Sequence, residues 1–463
     1  MILLVIGIIL LAYFTIVLIL NRIGIFEKYN ISFWGPAILL RTSKGKKLID
    51  KIASKKRFWI IFSNVGIFVC FILMFLMLYL LALTVPFAFQ AEDNIVSSNP
   101  TIMIGLPGLN PIIPLGYGII AFIVALIVHE FSHGILSRAQ GLKIKSLGLL
   151  YFIIPLGAFC EPDEEELKNT SNKKRMRIFA AGPMANVVTA FICLGLISLM
   201  VVFCVQPADD GIGITSVGDD MPADQAGIEP GMIITSINNT KVNNLTIFEN
   251  VMAKTKANQT VEISFVNGER EYTKNVKLSD KYSIAQNLLI ERHGYVNDSM
   301  LLSISEYKDK GYLGVVGNTQ YKSDLIFMKN PFTAFPAGFM YYIGLPIFSL
   351  FDGYSSFNEP FSNFFIVDSF IPDSTFWMLI NTFYWVFWFN FMVATFNVLP
   401  MIPLDGGYMF IDTIDSFIKK IKSNMKKETR EKITRRITTI ISLILLFIIL
   451  APIILPNIRN LFF

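Results

Sequence analysis

At 463 residues, 53% hydrophobic and only 16% charged, the chain is too apolar for a soluble globular protein and too long for one ordinary domain, which places it in a bilayer. Its net charge of +5 does not mark a nucleic-acid binder, because the basic residues gather in loops beside apolar runs. The four cysteines, Cys70, Cys160, Cys193 and Cys204, fall in or beside those runs, with no CxxC pair, which excludes a disulfide framework and a cysteine zinc knuckle.

Windows of about 20 apolar residues predict membrane spans at 1–21, 58–86, 111–137, 178–205, 376–403 and 437–456. The first begins at Met1 without a positive n-region or a small-residue cleavage pattern, and is expected to stay as an anchor. Segment 22–57 holds ten Lys/Arg against Glu27 and Asp50, and 419–436 holds nine against Glu428 and Glu431. Both loops read as cytoplasmic by the positive-inside rule, which leaves 87–110 and the polar segment 207–330 outside. The apolar stretch 332–352 is interrupted by Pro336 and Pro346 and followed by the Lys/Arg-free stretch 353–374. It is expected to lie on the surface or re-enter, for a total of about six spans with both termini outside.

Near the cytoplasmic end of the third span stands His129-Glu130-Phe131-Ser132-His133, which uses two of the three histidines in the chain. On a helix, imidazoles four residues apart share a face and can bind one zinc, with Glu130 placed to act as general base on the metal-bound water. The alternative, two polar residues satisfied inside a helix bundle, has to meet the cost of ionisable groups within a span. A catalytic zinc normally takes a third protein ligand. Asp405, in the run Asn397-Val398-Leu399-Pro400-Met401-Ile402-Pro403-Leu404-Asp405-Gly406-Gly407, arrives at the depth of His133 at the cytoplasmic end of the fifth span. Its other reading is a turn residue before Gly-Gly. Glu161 and Glu164 to Glu166 are the rival third ligands, although they lie outside any span. His293, the remaining histidine, reads as an ordinary surface residue.

With these residues in place the chain resembles the site-2 protease family of intramembrane zinc metalloproteases. The matches are His129 to Gly134; Ala181-Gly182-Pro183-Met184-Ala185-Asn186 in the next span; and Asn397 to Gly407. The resemblance implies His129, His133 and Asp405 as Zn2+ ligands, Glu130 as the catalytic carboxylate, and Asn186 and Asn397 as polar residues near the substrate. A structural role for the two asparagines, bonding backbone freed by Pro183 or Pro400, is the alternative. The stretch Lys143 to Glu161 resembles the membrane-associated β-hairpin of this family, whose edge could pair with an extended substrate or merely seal the site.

The external segment resembles a PDZ domain, with Gly211-Ile212-Gly213-Ile214 matching the carboxylate-binding loop, 281–310 an insertion and Gly311 to Val316 the last strand. Such a domain would bind a peptide C-terminus or strand, or act as a size filter. The expected architecture is therefore a polytopic α-helical membrane protein with a membrane-associated β-hairpin and an extracytoplasmic PDZ-like α+β domain. Four regions are expected: 1–110, with the N-terminal spans and basic cytoplasmic loop; 111–206, with the motif helix, hairpin and Asn186 helix; 207–330, PDZ-like; and 331–463, with the Asp405 helix, basic loop and last span. The expected activity is cleavage of transmembrane protein substrates within the cell membrane, at a site toward the cytoplasm. The competing readings are a catalytically silent membrane scaffold and a membrane-anchored metallopeptidase with a different third ligand.

Overall fold

The computed structural model describes residues 2–28, 31–34, 37–42, 45–90, 100–152, 154–352 and 357–462. These divide into two compact units, one built from 1–193 and 385–463, the other from 194–384.

Long apolar runs become helices because in hydrocarbon a chain must satisfy its own backbone hydrogen bonds. The helices that matter below are α1 (Ile2–Arg22), α2 (Lys56–Gln90), α3 (Leu115–Ala139), α4 (Asn172–Phe179), α5 (Ala181–Cys204), α6 (Ala337–Asp352), α7 (Asp373–Asn397), α8 (Asp405–Ile421) and α9 (Lys427–Phe462). Among the described residues, five helical segments are long and apolar enough to cross a membrane: 56–86, 115–139, 172–204, 373–397 and 427–455. The predicted first span falls on α1, whose described apolar part, Leu11–Arg22, is shorter, as is Ala337–Ile347 of α6. The chain is thus a polytopic helical membrane protein. On α2 and α9 large apolar side chains such as Phe68, Phe75 and Leu443 stand exposed, a surface suited to lipid rather than water.

Two boundaries differ from the sequence expectation. The predicted fifth span, 376–403, ends as a helix at Asn397, because Pro400 and Pro403 cannot continue the i to i−4 ladder. The predicted fourth, 178–205, gains α4 in front of it.

The first unit also carries a four-stranded antiparallel sheet, β1 (Ile31–Trp34), β2 (Ala37–Thr42), β3 (Ile144–Phe152) and β4 (Ile154–Pro162), paired in that order. The expected hairpin is its β3–β4 half. Its β1–β2 half comes from the basic segment 22–57, read from its charge alone as a loop, with Leu39 opposite Leu150 across the β2–β3 seam. Strand β4 is an outer strand of this sheet. Beneath α3 the core joins Ile49 and Ala53 to Ile135, Leu136, Ile144, Leu147, Cys160 and Ile178.

Charged side chains fasten the helices at one end of this unit. Arg175 on α4 donates to both carboxylate oxygens of the buried Asp412 on α8. Asp415, one turn on, accepts from Arg430 of α9 at 2.5 Å and from Asn172 of α4 at 2.8 Å. Burial pushes the Asp412 carboxyl above its ordinary pKa against the opposing pull of the Arg175 guanidinium. Removing one member of such a pair leaves an uncompensated buried charge, so the partners act as a clamp on α4, α8 and α9.

The second unit contains β5 (Val205–Pro207), β6 (Ile212–Val217), β7 (Ile233–Ile237), β8 (Thr240–Lys241), β9 (Thr260–Asn267), β10 (Arg270–Lys277), β11 (Ser279–Asp280), β12 (Gly311–Tyr312), β13 (Val315–Asn318) and β14 (Phe365–Val367). Its main sheet is ordered β10-β9-β7-β6-β13, with β8 on β7, over a core of Ile214, Ile234, Ile237, Val261, Ile263, Phe265 and Leu313. Strand β6, which takes up residues 212–214 of the predicted carboxylate-binding loop and leaves Gly211 just before it, lies between β7 and β13. Its backbone is therefore engaged on both sides, and the outer strands of the sheet are β10 and β13. The segment 281–310 folds as helices Lys281–His293 and Asp298–Ser303, and β12 returns to pair with β11. The predicted last strand, Gly311 to Val316, accordingly splits into β12 and β13. His293 is exposed at the end of its helix.

Candidate metal centre

The helical spacing of the motif puts His129 and His133 one turn apart on one face of α3, with Nε2 atoms 3.2 Å from each other. Asp405 reaches the same point from 272 residues away: its Oδ2 lies 3.0 Å from His129 Nε2 and 3.2 Å from His133 Nε2. All three side chains are largely buried. The route of Asp405 is set by the segment between α7 and α8, where Val398 and Leu399 are fully buried anchors. The prolines keep this segment out of helix, and α8 then starts at Asp405 itself, so the carboxylate sits in a first turn, where the helix N-terminus favours negative charge. The next residue has to be glycine, because any Cβ on Gly406 would overlap the Val398 carbonyl.

Two imidazole nitrogens and a carboxylate oxygen at mutual separations of 3.0–3.2 Å fit a zinc ion, whose tetrahedral ligands at roughly 2.0–2.1 Å stand about 3.3 Å apart. These are the donors among the described residues that could hold a metal. The outer contacts agree with that use. His133 Nδ1 lies 2.7 Å from the carbonyl oxygen of Ile178 on α4. A carbonyl only accepts, so Nδ1 carries the proton and Nε2 is left with a lone pair aimed at the centre.

Glu130 points elsewhere, as its place about 100° around the helix requires. Its Oε2 accepts from the Cys160 amide of β4 at 3.1 Å. Asn186 on α5 is fully buried with its amide nitrogen 3.4 Å from His129 Nδ1, whereas Asn397, half-buried at the end of α7, takes part through its side chain in none of the described hydrogen bonds. The rival carboxylates are engaged away from the centre. Glu161 accepts from Ser146 at 2.6 Å, Glu166 from the Lys143 amide at 2.8 Å, and Glu164 pairs with Lys168 at 3.2 Å, while Glu165 is exposed.

Gly182 belongs to the centre although sequence reasoning gives it no role. A Cβ there would lie 2.5 Å from His133 Nε2 and 2.8 Å from His129 Nε2, so α5 presses its bare backbone against these two nitrogens. The Ala-Gly-Pro context carries no sign of this, since what a missing side chain makes room for is visible only in three dimensions. Gly182→Ala should push the imidazoles off their present positions and weaken zinc binding by at least the factor of about 10 typical of a disturbed outer shell. Chelator competition on the purified protein measures this, and wild-type affinity in the variant would contradict the packing described.

The chain is similar to an uncharacterized protein of Methanocaldococcus jannaschii, 26% identical over 394 residues that cover 83% of this chain and 80% of that protein. It is also similar to two proteins provisionally described as zinc metalloproteases. One, from Clostridium perfringens, is 24% identical over 335 residues, 66% of this chain and 84% of that one. The other, from Clostridium acetobutylicum, is 28% identical over 151 residues, 27% of this chain and 42% of that one. The model of peptidase family M50 matches residues 117–445, a stretch that takes in His129, Glu130, His133, Asn186, Asn397 and Asp405, and the chain belongs to that family.

Proposed function

We propose that this protein is a zinc endopeptidase that cuts membrane-spanning segments of other membrane proteins, with His129, His133 and Asp405 as the zinc ligands and Glu130 as the general base. The observation that carries the reading is the convergence of three buried donor atoms, from two helices, within 3.2 Å of one another. Zinc, when bound, supplies Lewis-acid activation of water and of the scissile carbonyl. The work of the chain is to hold and move one proton and to present an extended substrate. Glu130 takes a proton from water and returns it to the leaving amine, so no net charge is left behind in an apolar site.

A substrate helix has each amide bonded within itself and must unwind before its backbone can be cut. An unwound segment added along β4 would regain backbone hydrogen bonds and run beside Glu130, which is itself bonded to a β4 amide. Asn397 is available to contact such a segment.

The basic segments 22–57 and 419–436 set the orientation, with the cleavage site toward the cytoplasm of the cell membrane and residues 207–330, a PDZ-like domain, outside. The outer strand β13 is where that domain would add a substrate strand or C-terminus. A silent scaffold would not require three converging ligands and should purify without stoichiometric zinc.

Glu130→Gln keeps the size of the side chain and removes the base. Zinc content and thermal stability should be retained, while hydrolysis of a reconstituted helical substrate should fall by roughly 10²–10⁴. Normal cleavage by the variant at equal zinc content would remove Glu130 from the mechanism. For the orientation, a cysteine at the exposed position 370 should react with an impermeant reagent added outside, and one at 426 only after the membrane is opened. Equal labelling of both in intact cells would reject the proposed sidedness.

A further inference from the structure

The two ligand imidazoles are supported differently, and the difference assigns a role to Asn186. His133 Nδ1 is fixed by a backbone carbonyl. On His129, Nδ1 faces Asn186 Nδ2 at 3.4 Å, and Asn186 Oδ1, on a side chain that is 0% exposed, has no hydrogen-bond partner. In that orientation the amide can only donate, which requires a lone pair on Nδ1 and the proton on Nε2. A histidine with its proton on Nε2 has no lone pair to offer a metal there. Half a turn of the amide exchanges its two ends within the same volume and brings Oδ1 to Nδ1. Nδ1–H then donates to oxygen, the orphaned acceptor is used, and Nε2 is freed toward His133 Nε2 and Asp405 Oδ2. The amide nitrogen then takes the place of Oδ1, so what the turn gains is the Nδ1–H to Oδ1 bond itself.

A second feature of the same helix face points the same way. Gly182, one turn before Asn186 on α5, packs directly on His129, where its Cβ would lie 2.7 Å from Cε1. Gly182 and Asn186 together therefore form the surface against which this imidazole is set. We propose, resting on the zinc reading above, that Asn186 is a positioning residue for His129: its carbonyl oxygen accepts the Nδ1 proton, selects the tautomer in which Nε2 faces the metal, and makes no contact with substrate. The two asparagines then part company. Asn397 is half-buried and available to a substrate, while Asn186 is sealed against a ligand.

The test is zinc affinity, measured by chelator competition on the full-length protein in detergent at one pH, for wild type, Asn186→Asp and Asn186→Leu. Asp keeps an acceptor oxygen facing Nδ1, whereas Leu keeps the volume and removes it. The Leu form should bind zinc about 10- to 100-fold more weakly, the usual effect of losing the outer partner of a metal-bound histidine, and the Asp form should bind at least as tightly as wild type. Asn186→Ala decides the same comparison if Leu unfolds the bundle. Unchanged zinc affinity in the Leu or Ala form, with a raised KM for a membrane substrate, would overturn the proposal and return Asn186 to the substrate site. A wild-type protein that binds no zinc at all would instead sink the metal reading, and this inference with it.

Discussion

Two imidazoles and a carboxylate converge where the surroundings are apolar, and that convergence governs the first unit of this protein. A carboxylate without compensation in such a place would be neutralised or driven out. Asp405 stays because His129 and His133 are within 3.2 Å and because it opens a helix, whose N-terminus favours negative charge. The fit leaves no space to spare. Gly406 lets α8 begin against the Val398 carbonyl, and Gly182 lets α5 lie directly on the imidazoles. Each glycine exchanges a side chain for a closer approach of backbone to the centre.

The same constraint explains the use made of α4. This helix of eight residues supports both halves of the site. Its Ile178 carbonyl fixes the tautomer of His133, and Arg175, one turn earlier, grips Asp412 on the helix that starts at Asp405. Asp412 is two turns from Asp405 on the same side of α8. Asp415 carries the connection on to Arg430 of α9. A buried ion pair adds little to stability in general, and its better-attested use is to specify one arrangement over its neighbours. Here the arrangement specified is the rotation and height of α8, and with it the position of the Asp405 carboxylate, which arrives from a distant part of the sequence.

What the sequence reveals of this depends on the range of each signal. The spacing of His129 and His133 is a property of one helix turn and is legible directly. So are the apolar runs, and the early end of α7 at Asn397 follows from Pro400 and Pro403 once they are weighed as helix breakers. Asp405 is legible only through topology, which brings the end of the fifth span to the depth of His133. The β1–β2 hairpin is hidden because its partner strand lies more than a hundred residues on, at Leu147 to Tyr151, and because the dense charge of 22–57 obscures a short apolar run, Ile38-Leu39-Leu40. The run Gly211–Ile214 is legible as a glycine pattern, but its pairing with β7 and β13, partners distant in sequence, is not. Asn186 and Asn397 look alike as letters, and only burial separates them.

We propose above all that zinc is held by His129, His133 and Asp405. X-ray absorption at the zinc edge of the purified protein tests this most directly, because it reads the ligand atoms rather than an activity. The spectrum should fit nitrogen and oxygen neighbours alone at about 2.0–2.1 Å, with the outer scattering of two imidazole rings. A sulfur neighbour at about 2.3 Å would assign the metal to the cysteines, and a spectrum with fewer than two imidazoles would contradict the site described.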